Sequence, residues 1–470
     1  MIDAKSVFSL IKSGEIKFVD VRFTDLRGTW QHFTVSAKAF DTDAVERGLG
    51  FDGSSIRGFQ QIYESDMLLK PDMDTCFMDP FHDKTLIVIC DVFDPVTGKA
   101  FEKCPRAVAR KAEAYLKKSG FGDVSYWGPE IEFFLFDTVN VRLTPMESGI
   151  ELRSSEIQNQ LLRDDDEEEH YKLTTKAGYF PAPPFDKLQD FRSEATSILE
   201  SVGIDVEVHH HEVASAGQCE VDMKYDSLLS MADKIMKYKY VIRMLAKQYG
   251  MTAIFLPKPI FGDNGSGMHT HQSIFKGGKN VFFDPKGRYV KLSEGALSYA
   301  AGLLTHIYAV LGFTNSTLNS YRRLVPHFEA PTAVAFSARN RSAAIRIPMY
   351  FPDDEKAKRL EFRCPDPTAN PYLALSAMLV AGLDGMKKKM DPTKLGFGPY
   401  DENIWEKGSV KQTPGDLFTS LQALEDCSIF VDSGVFSKEI IESYLEVKRT
   451  EAINVLQYPT PGDFHVYGDL

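Results

Sequence analysis

The sequence predicts an α+β fold with a smaller N-terminal and a larger C-terminal domain. Three observations carry this expectation. The chain has 470 residues, too many for one average domain. Its β-type runs are joined by long irregular connections, not by the regular crossovers of a doubly wound sheet. A turn-rich break at Asp94-Pro-Val-Thr-Gly98 is followed by a helix start at Cys104-Pro-Arg. The boundary is placed there, which gives domains over residues 1–103 and 104–470.

Before the break, short β-type runs (Lys17–Phe23, Leu86–Phe93) alternate with turn residues. After it, Pro105 at a first helical position and Gly120 past the end frame one helix. Strands are expected over Tyr126–Asp137, Asp205–His211 and Thr252–Leu256, and helices over Ser193–Val202, Ser230–Tyr249 and Pro371–Lys389. Gly295–Phe313 contains no Asp, Glu, Lys or Arg. Its three glycines, Thr305, His306 and two tyrosines favour a buried helix over a membrane span. The acidic block Arg163–Glu169 reads as a solvated loop.

Hydrophobic residues at 43% and charged residues at 26% describe a soluble globular protein with an ample core. The net charge of −12 argues against a nucleic-acid surface and against binding to anionic membranes, and it suits a protein that gathers cations. The six cysteines form no C-x-x-C pair, so free thiols in a reducing cytoplasm are expected. The first residues carry scattered charges and lack the apolar core of a signal peptide.

The chemistry begins at GPEIEFF, residues 128–134. On a strand, Glu130 and Glu132 lie on one face, while Ile131 and Phe133 pack on the other. Two carboxylates in apolar surroundings repel unless a cation sits between them. An exposed strand face is the alternative. A second group, EVHHHEVASAGQCE (207–220), adds Glu207, Glu212 and Glu220, with Gly217 in a loop able to fold the last two together. Its three histidines alternate sides, so His209, His210 and His211 are expected to divide between core and surface. In NGSGMHTHQS (264–273), His269 and His271 can project into one cavity, and Gly265 and Gly267 let backbone approach a ligand. A donor set dominated by carboxylates favours Mg2+ or Mn2+ over zinc.

Arg323, Arg339, Arg341, Arg346, Arg359 and Arg363 follow in largely apolar surroundings. Guanidinium groups in such places need anions, and phosphate or carboxylate fits the fork. Carboxylates for metals and arginines for anions are equipment for phosphoryl transfer. The chain has no P-loop and no Rossmann glycine motif, so a nucleotide must be held by another fold.

Seven stretches together identify a family resemblance: FDGSS (51–55), GPEIEFF, HHHEVASAGQCE, NGSGMHTHQS, SYRRLVPHFEAP (320–331), SARNRSAAIRIP (337–348) and LEFRCPDPTANPYL (360–373). In sequence and order they resemble bacterial-type (type I) glutamine synthetase, from about residue 15 to the C-terminus. The resemblance implies a β-grasp-like N-terminal domain and a catalytic domain whose antiparallel sheet forms a funnel. It implies ATP-driven ligation of ammonia to L-glutamate through γ-glutamyl phosphate. It implies two Mg2+ or Mn2+ ions, one among Glu132, Glu212 and Glu220, the other among Glu130, His269 and Glu361.

The remaining roles are carried over in the same way. Asn264, Gly265, Arg323, Glu329, Arg341 and Arg363 would hold glutamate. Glu207, Tyr225, His271, Ser273, Lys356 and Arg359, with Arg341 and Arg346, would hold ATP and its transferring phosphoryl group. Asp52 would bind and deprotonate ammonium in the site of a neighbouring subunit, and Glu329 would close over the intermediate. The assembly implied is a homododecamer of two stacked six-membered rings, joined through the C-terminal tail.

One departure stands out. Relatives with the insert seen between Asp137 and Tyr179 often carry a tyrosine that is adenylylated. Here Trp405, in Asp401-Glu-Asn-Ile-Trp405-Glu406, occupies its place and has no hydroxyl, so control by adenylylation at this position is not expected. Three other readings are a relative that joins a different amine to glutamate, a catalytically inactive binding relative, and a hydrolase built on His269 and His271. Retention of Asp52, Glu329 and all six metal-site residues argues against the first two. The third leaves the arginines unexplained.

Overall fold

The computed structural model describes residues 4–157, 171–326, 328–402, 404 and 410–469. The acidic block 163–169 and Trp405 lie outside these described residues. Two large sheets organise the chain. In the first, the strands run in the order Trp30–Ser36, Phe18–Thr24, Thr85–Phe93, Asp66–Pro71 and Leu49–Asp52, and Phe77–Met78 also pairs with Thr85–Phe93. Phe18–Thr24 and Thr85–Phe93 pair in parallel, and the run TLIVICDVF supplies apolar side chains to a nearly continuous buried stretch.

The helix Pro105–Ser119 starts at its proline and ends at Gly120, whose φ of 74° puts it in the left-handed region that glycine tolerates. Arg106 in its first turn is buried. Its guanidinium donates to Asp72 Oδ2 (2.7 Å) and Asp91 Oδ1 (2.9 Å) of the first sheet, and to both oxygens of Asp233 (3.0 and 2.8 Å) on the helix Leu228–Gln248.

The second sheet runs Val206–His211, Gln218–Met223, Val124–Phe136, Met268–Lys276, Leu360–Phe362, Ala343–Ile347 and Ala333–Ala338, with shorter strands on its flanks. Its pairs are antiparallel except the last, which is parallel and departs from the all-antiparallel expectation. Helices cover one face. Phe133 lies 6.2 Å from the Tyr238 ring, and the Tyr238 hydroxyl donates to Ile131 O at 3.1 Å. The helix Pro371–Lys388 is buried along most of its length. The side chains of Glu130 and Glu132 therefore face away from this helical layer.

Most element boundaries fall within two residues of the expectation, and two elements depart further. The helix expected from Ser193 begins at Gln189. The apolar run around Gly295 is two buried helices, Glu294–Thr305 and Ile307–Thr314, bent by 75°. The break falls at His306, whose Nε2 sits 2.8 Å from Asp384 Oδ2, a contact that draws its ring towards the helix Pro371–Lys388. Among the described residues no single helix is long and apolar enough to cross a membrane.

Candidate active site

Strand register assembles the open face of the second sheet. Glu132 stands opposite Glu220, and Glu220 opposite His210. Glu130 stands opposite His269, His271 opposite Glu361, and Glu361 opposite Arg346. Side chains directly across such strands are neighbours, so residues far apart in sequence become one surface.

That surface lines a cavity of about 280 Å3. Glu130, Glu132, Glu212, Glu220, His269 and Glu361 are all in it. So are Asn264, Gly265, Arg323, Glu329, Arg341, Arg346 and Arg363. Ligand atoms of Glu130, His269 and Glu361 lie within 4.8 Å of one another, close enough for one cation. Glu132 accepts from Gln218 Nε2 and from the Gly267 N–H, both at 3.0 Å. Glu361 is fully buried between Arg346 and Arg363, each donating one Nη1 to it. The Nε atoms of both arginines are buried and have no hydrogen-bond partner among the described residues.

The electrostatics divide the carboxylates into two kinds. Burial pushes Glu130 and Glu361 up, but the histidines around the first and the arginines around the second outweigh it and hold both below the usual range. Burial pushes Glu132 and Glu220 well up, and neighbouring carboxylates push further. Burial raises Glu212 to about 7, with Glu329 and Glu130 adding to it. Burial also lowers His269 to about 4, keeping its imidazole neutral and able to ligate. Charges so placed call for cations.

A second cavity of about 490 Å3 adjoins the first. Glu207, Tyr225, His271, Ser273, Lys356 and Arg359 all line it. Glu130 and Asp222 line both cavities. Glu130 lies 3.1 Å from His269 Nδ1 on one side and accepts from His271 Nε2 at 2.7 Å on the other. His271 Nδ1 in turn accepts from Arg359 Nε at 3.0 Å, which fixes its tautomer. Arg341 and Arg346 line the first cavity and not the second.

Glu329 and Arg341 sit at the mouth, half exposed, with 3.7 Å between them. Glu329 has a φ of 56°, a left-handed conformation that a glutamate adopts at a cost. Asp52 lines neither cavity of its own chain. It is exposed at the end of Leu49–Asp52, and its carboxylate accepts from the Ser54 and Ser55 hydroxyls at 2.6 and 2.7 Å. Those hydroxyls hold it below the usual range.

Three readings of single residues change. His210 lines the first cavity, contrary to the expectation that all three histidines are core or surface. The expectation holds for His211, which is buried against Glu156 at 3.0 Å. Asp222, absent from the sequence reading, joins His210 and Glu220 within 4.8 Å. It lies two residues from Glu220 on one strand face, the same spacing that singled out Glu130 and Glu132. Arg339 is exposed and lines a separate surface hollow with Arg341.

Sequence profiles described as "Glutamine synthetase, beta-Grasp domain" and "Glutamine synthetase, catalytic domain" match residues 15–95 and 102–467. The chain is 47% identical over 479 residues to a protein named glutamine synthetase from Aquifex aeolicus (strain VF5), covering 99% of each. Among solved structures it is similar to a Plasmodium falciparum glutamine synthetase, with a TM-score of 0.90 at 29% identity and 99% of each chain covered. It also resembles a structure titled as a GmaS/ADP complex, with a TM-score of 0.82 at 26% identity over the whole of both chains. A β-grasp profile over the first sheet, a catalytic profile over the second, and full-length identity to named enzymes place this chain in the glutamine synthetase family.

Proposed function

We infer that this chain joins ammonia to L-glutamate, with consumption of ATP, to give L-glutamine, ADP and phosphate. A carboxylate is a poor electrophile, because its charge repels a nucleophile. Phosphorylation of the γ-carboxylate gives γ-glutamyl phosphate, which ammonia attacks as phosphate leaves. The observation that carries this reading is Glu130, which forms a wall common to the two cavities. A phosphoryl group passing from a nucleotide in one to glutamate in the other crosses beside it.

In this reading Asn264, Gly265, Arg323 and Arg363 orient glutamate. Glu207, Tyr225, His271, Ser273, Lys356 and Arg359 hold ATP. Arg341 and Arg346 neutralise charge on the transferring group. The buried Nε donors of Arg346 and Arg363, unpaired among the described residues, support a role facing an anion. Two divalent cations, Mg2+ or Mn2+, fit the donor set, one among Glu132, Glu212 and Glu220 and one among Glu130, His269 and Glu361. When bound they neutralise phosphate oxygens and polarise the γ-carboxylate. Glu329 closes the mouth against water, which would hydrolyse the acyl phosphate. Asp52, reaching the site of an adjacent copy, takes a proton from ammonium. Asp52 and Glu329 favour ammonia over a bulkier amine, and an inactive relative is not favoured.

The chain divides at 103/104 in this reading and assembles as a homododecamer of two stacked rings in the cytoplasm. Exposed Phe464, Val466 and Tyr467 near the C-terminus support a tail that docks on another subunit. Light scattering should give the mass of twelve chains. A phosphate-release assay with glutamate, ATP and ammonium, omitting each in turn, tests the activity. Release that is unchanged without glutamate overturns it.

A further inference from the structure

Away from the catalytic cavity, a separate chemistry is concentrated where the N-terminal unit, the helix Lys438–Leu456 and the short helix Leu318–Arg323 meet. A cavity of about 520 Å3 opens there, within the size range of small-molecule sites. Leu256, Leu318, Leu417 and Val455 give it apolar walls, and Arg27, Arg57, Arg322 and Lys448 also line it. One carboxylate, Glu451, answers three of these cations. Its Oε1 is 2.5 Å from Arg27 Nε and 3.7 Å from Arg57 Nη1, and its Oε2 is 3.2 Å from Lys448 Nζ. Among the described residues Arg322 makes no ion pair, and nothing else acidic lines the cavity. The Lys448 side chain is 4% exposed. Burial holds its ammonium below the usual lysine range, and Arg27 adds to this while Glu451 and, from outside the cavity lining, Asp25 oppose it. Four cations facing one anion in a concave, largely apolar site leave charge to be answered.

We propose that this cavity binds a small phosphate-bearing anion with an apolar body, held by Arg27, Arg57, Arg322 and Lys448. A guanidinium fork pairs with two phosphate oxygens at once, and a dianion answers two cations where a monocarboxylate answers one. The apolar walls take the rest of the molecule.

Two short paths join this cavity to the catalytic one. Arg322 faces the former while its neighbour Arg323 is buried in the latter, donating to Cys364 O at 2.9 Å and His269 Nε2 at 3.3 Å. Asn319, in the wall of the anion cavity, clasps Lys258 by its N–H (2.7 Å) and its carbonyl (2.9 Å). Pro257 O then accepts from the Ser266 N–H at 2.8 Å, at the end of the segment that carries Asn264 and Gly265. Occupancy of the cavity therefore alters glutamate binding, a consequence that rests on the roles read for Arg323 and Asn264.

The test is calorimetric titration of phenyl phosphate into the full-length protein, with saturating ADP and Mg2+ filling the nucleotide cavity. One saturable site per chain is expected, with inorganic phosphate binding more weakly. The double variant Arg57→Ala/Arg322→Ala changes only exposed side chains. It should weaken binding by about 10-fold or more, the scale of one charge-assisted hydrogen bond lost. No saturable binding to the wild type, or equal binding to the double variant, overturns the site. Equal affinity for both phosphates overturns the apolar body. In activity assays phenyl phosphate should shift KM for glutamate in the wild type and not in the variant. An unshifted KM with binding intact overturns the coupling alone.

Discussion

The floor and the rim of the catalytic cavity are built differently. The floor residues Glu130, Glu132, Glu220, His269 and Glu361 stand on adjacent strands, each set by register against the next. The rim residues Glu329 and Arg341 come from connections between elements. Glu361 is fully buried, whereas the Arg341 side chain is 52% exposed. A sheet can hold like charges at close quarters because its backbone ladder does not yield when they repel. A loop cannot hold them so, but it can move when substrate arrives. The floor keeps charge in place, and in the proposed reading the rim controls access.

Breaking the floor should cost most. Glu132→Ala removes the acceptor of Gln218 and Gly267 and leaves Glu212 and Glu220 short of a cation. Turnover should fall beyond the ~100-fold typical of losing a group that merely supports a ligand. Phosphate release measures it, and full activity would remove Glu132 from the metal assignment. Asp52→Ala tests a residue outside both cavities. Fold and ADP binding should survive while glutamine synthesis drops by about 10²–10⁴-fold, the range for a lost acid–base group. Near-normal turnover at saturating ammonium contradicts its role.

At the rim, Glu329→Gln should lower synthesis less and leak more. The ratio of phosphate released to glutamine formed should rise above unity, and a ratio that stays at unity counts against closure. The smallest effect lies behind the floor. Lys239 is buried, with one long contact to Ala369 O at 3.4 Å, and burial lowers its ammonium to about 7. Between pH 7 and the ordinary lysine range the unfolded chain holds a proton there that the folded chain lacks. Stability from this group therefore rises with pH across that window. Lys239→Met should remove this slope from stability measured against pH, while leaving KM values alone.

This division also decides what the sequence makes legible. Glu130 and Glu132 announce themselves because alternate residues on a strand share a face, and Ile131 and Phe133 show which face is dry. Asp222 obeys the same rule with Glu220, yet it is easily passed over, because Met223 and Lys224 after it lack the aromatic frame of GPEIEFF. His210 is hidden by its neighbours. Three consecutive histidines alternate sides, and only pairing with Glu220 reveals which side is the cavity. At the bend His306 meets Asp384, 78 residues away, a pairing that no local pattern marks. The four cations of the anion cavity come from positions 27, 57, 322 and 448, a gathering that only the tertiary fold produces.

Arg106 gives the molecule a keystone. One guanidinium spans Asp72, Asp91 and Asp233, so it is shared between the first sheet and the helix that backs the second. A planar fork saturated on three sides resists twisting as well as separation. The strand tip that ends in Asp52 is thus carried at a set distance and angle from its own catalytic sheet. In the proposed ring of such chains that angle recurs at every joint, so the precision of each proposed shared site rests on a bond buried inside each single subunit.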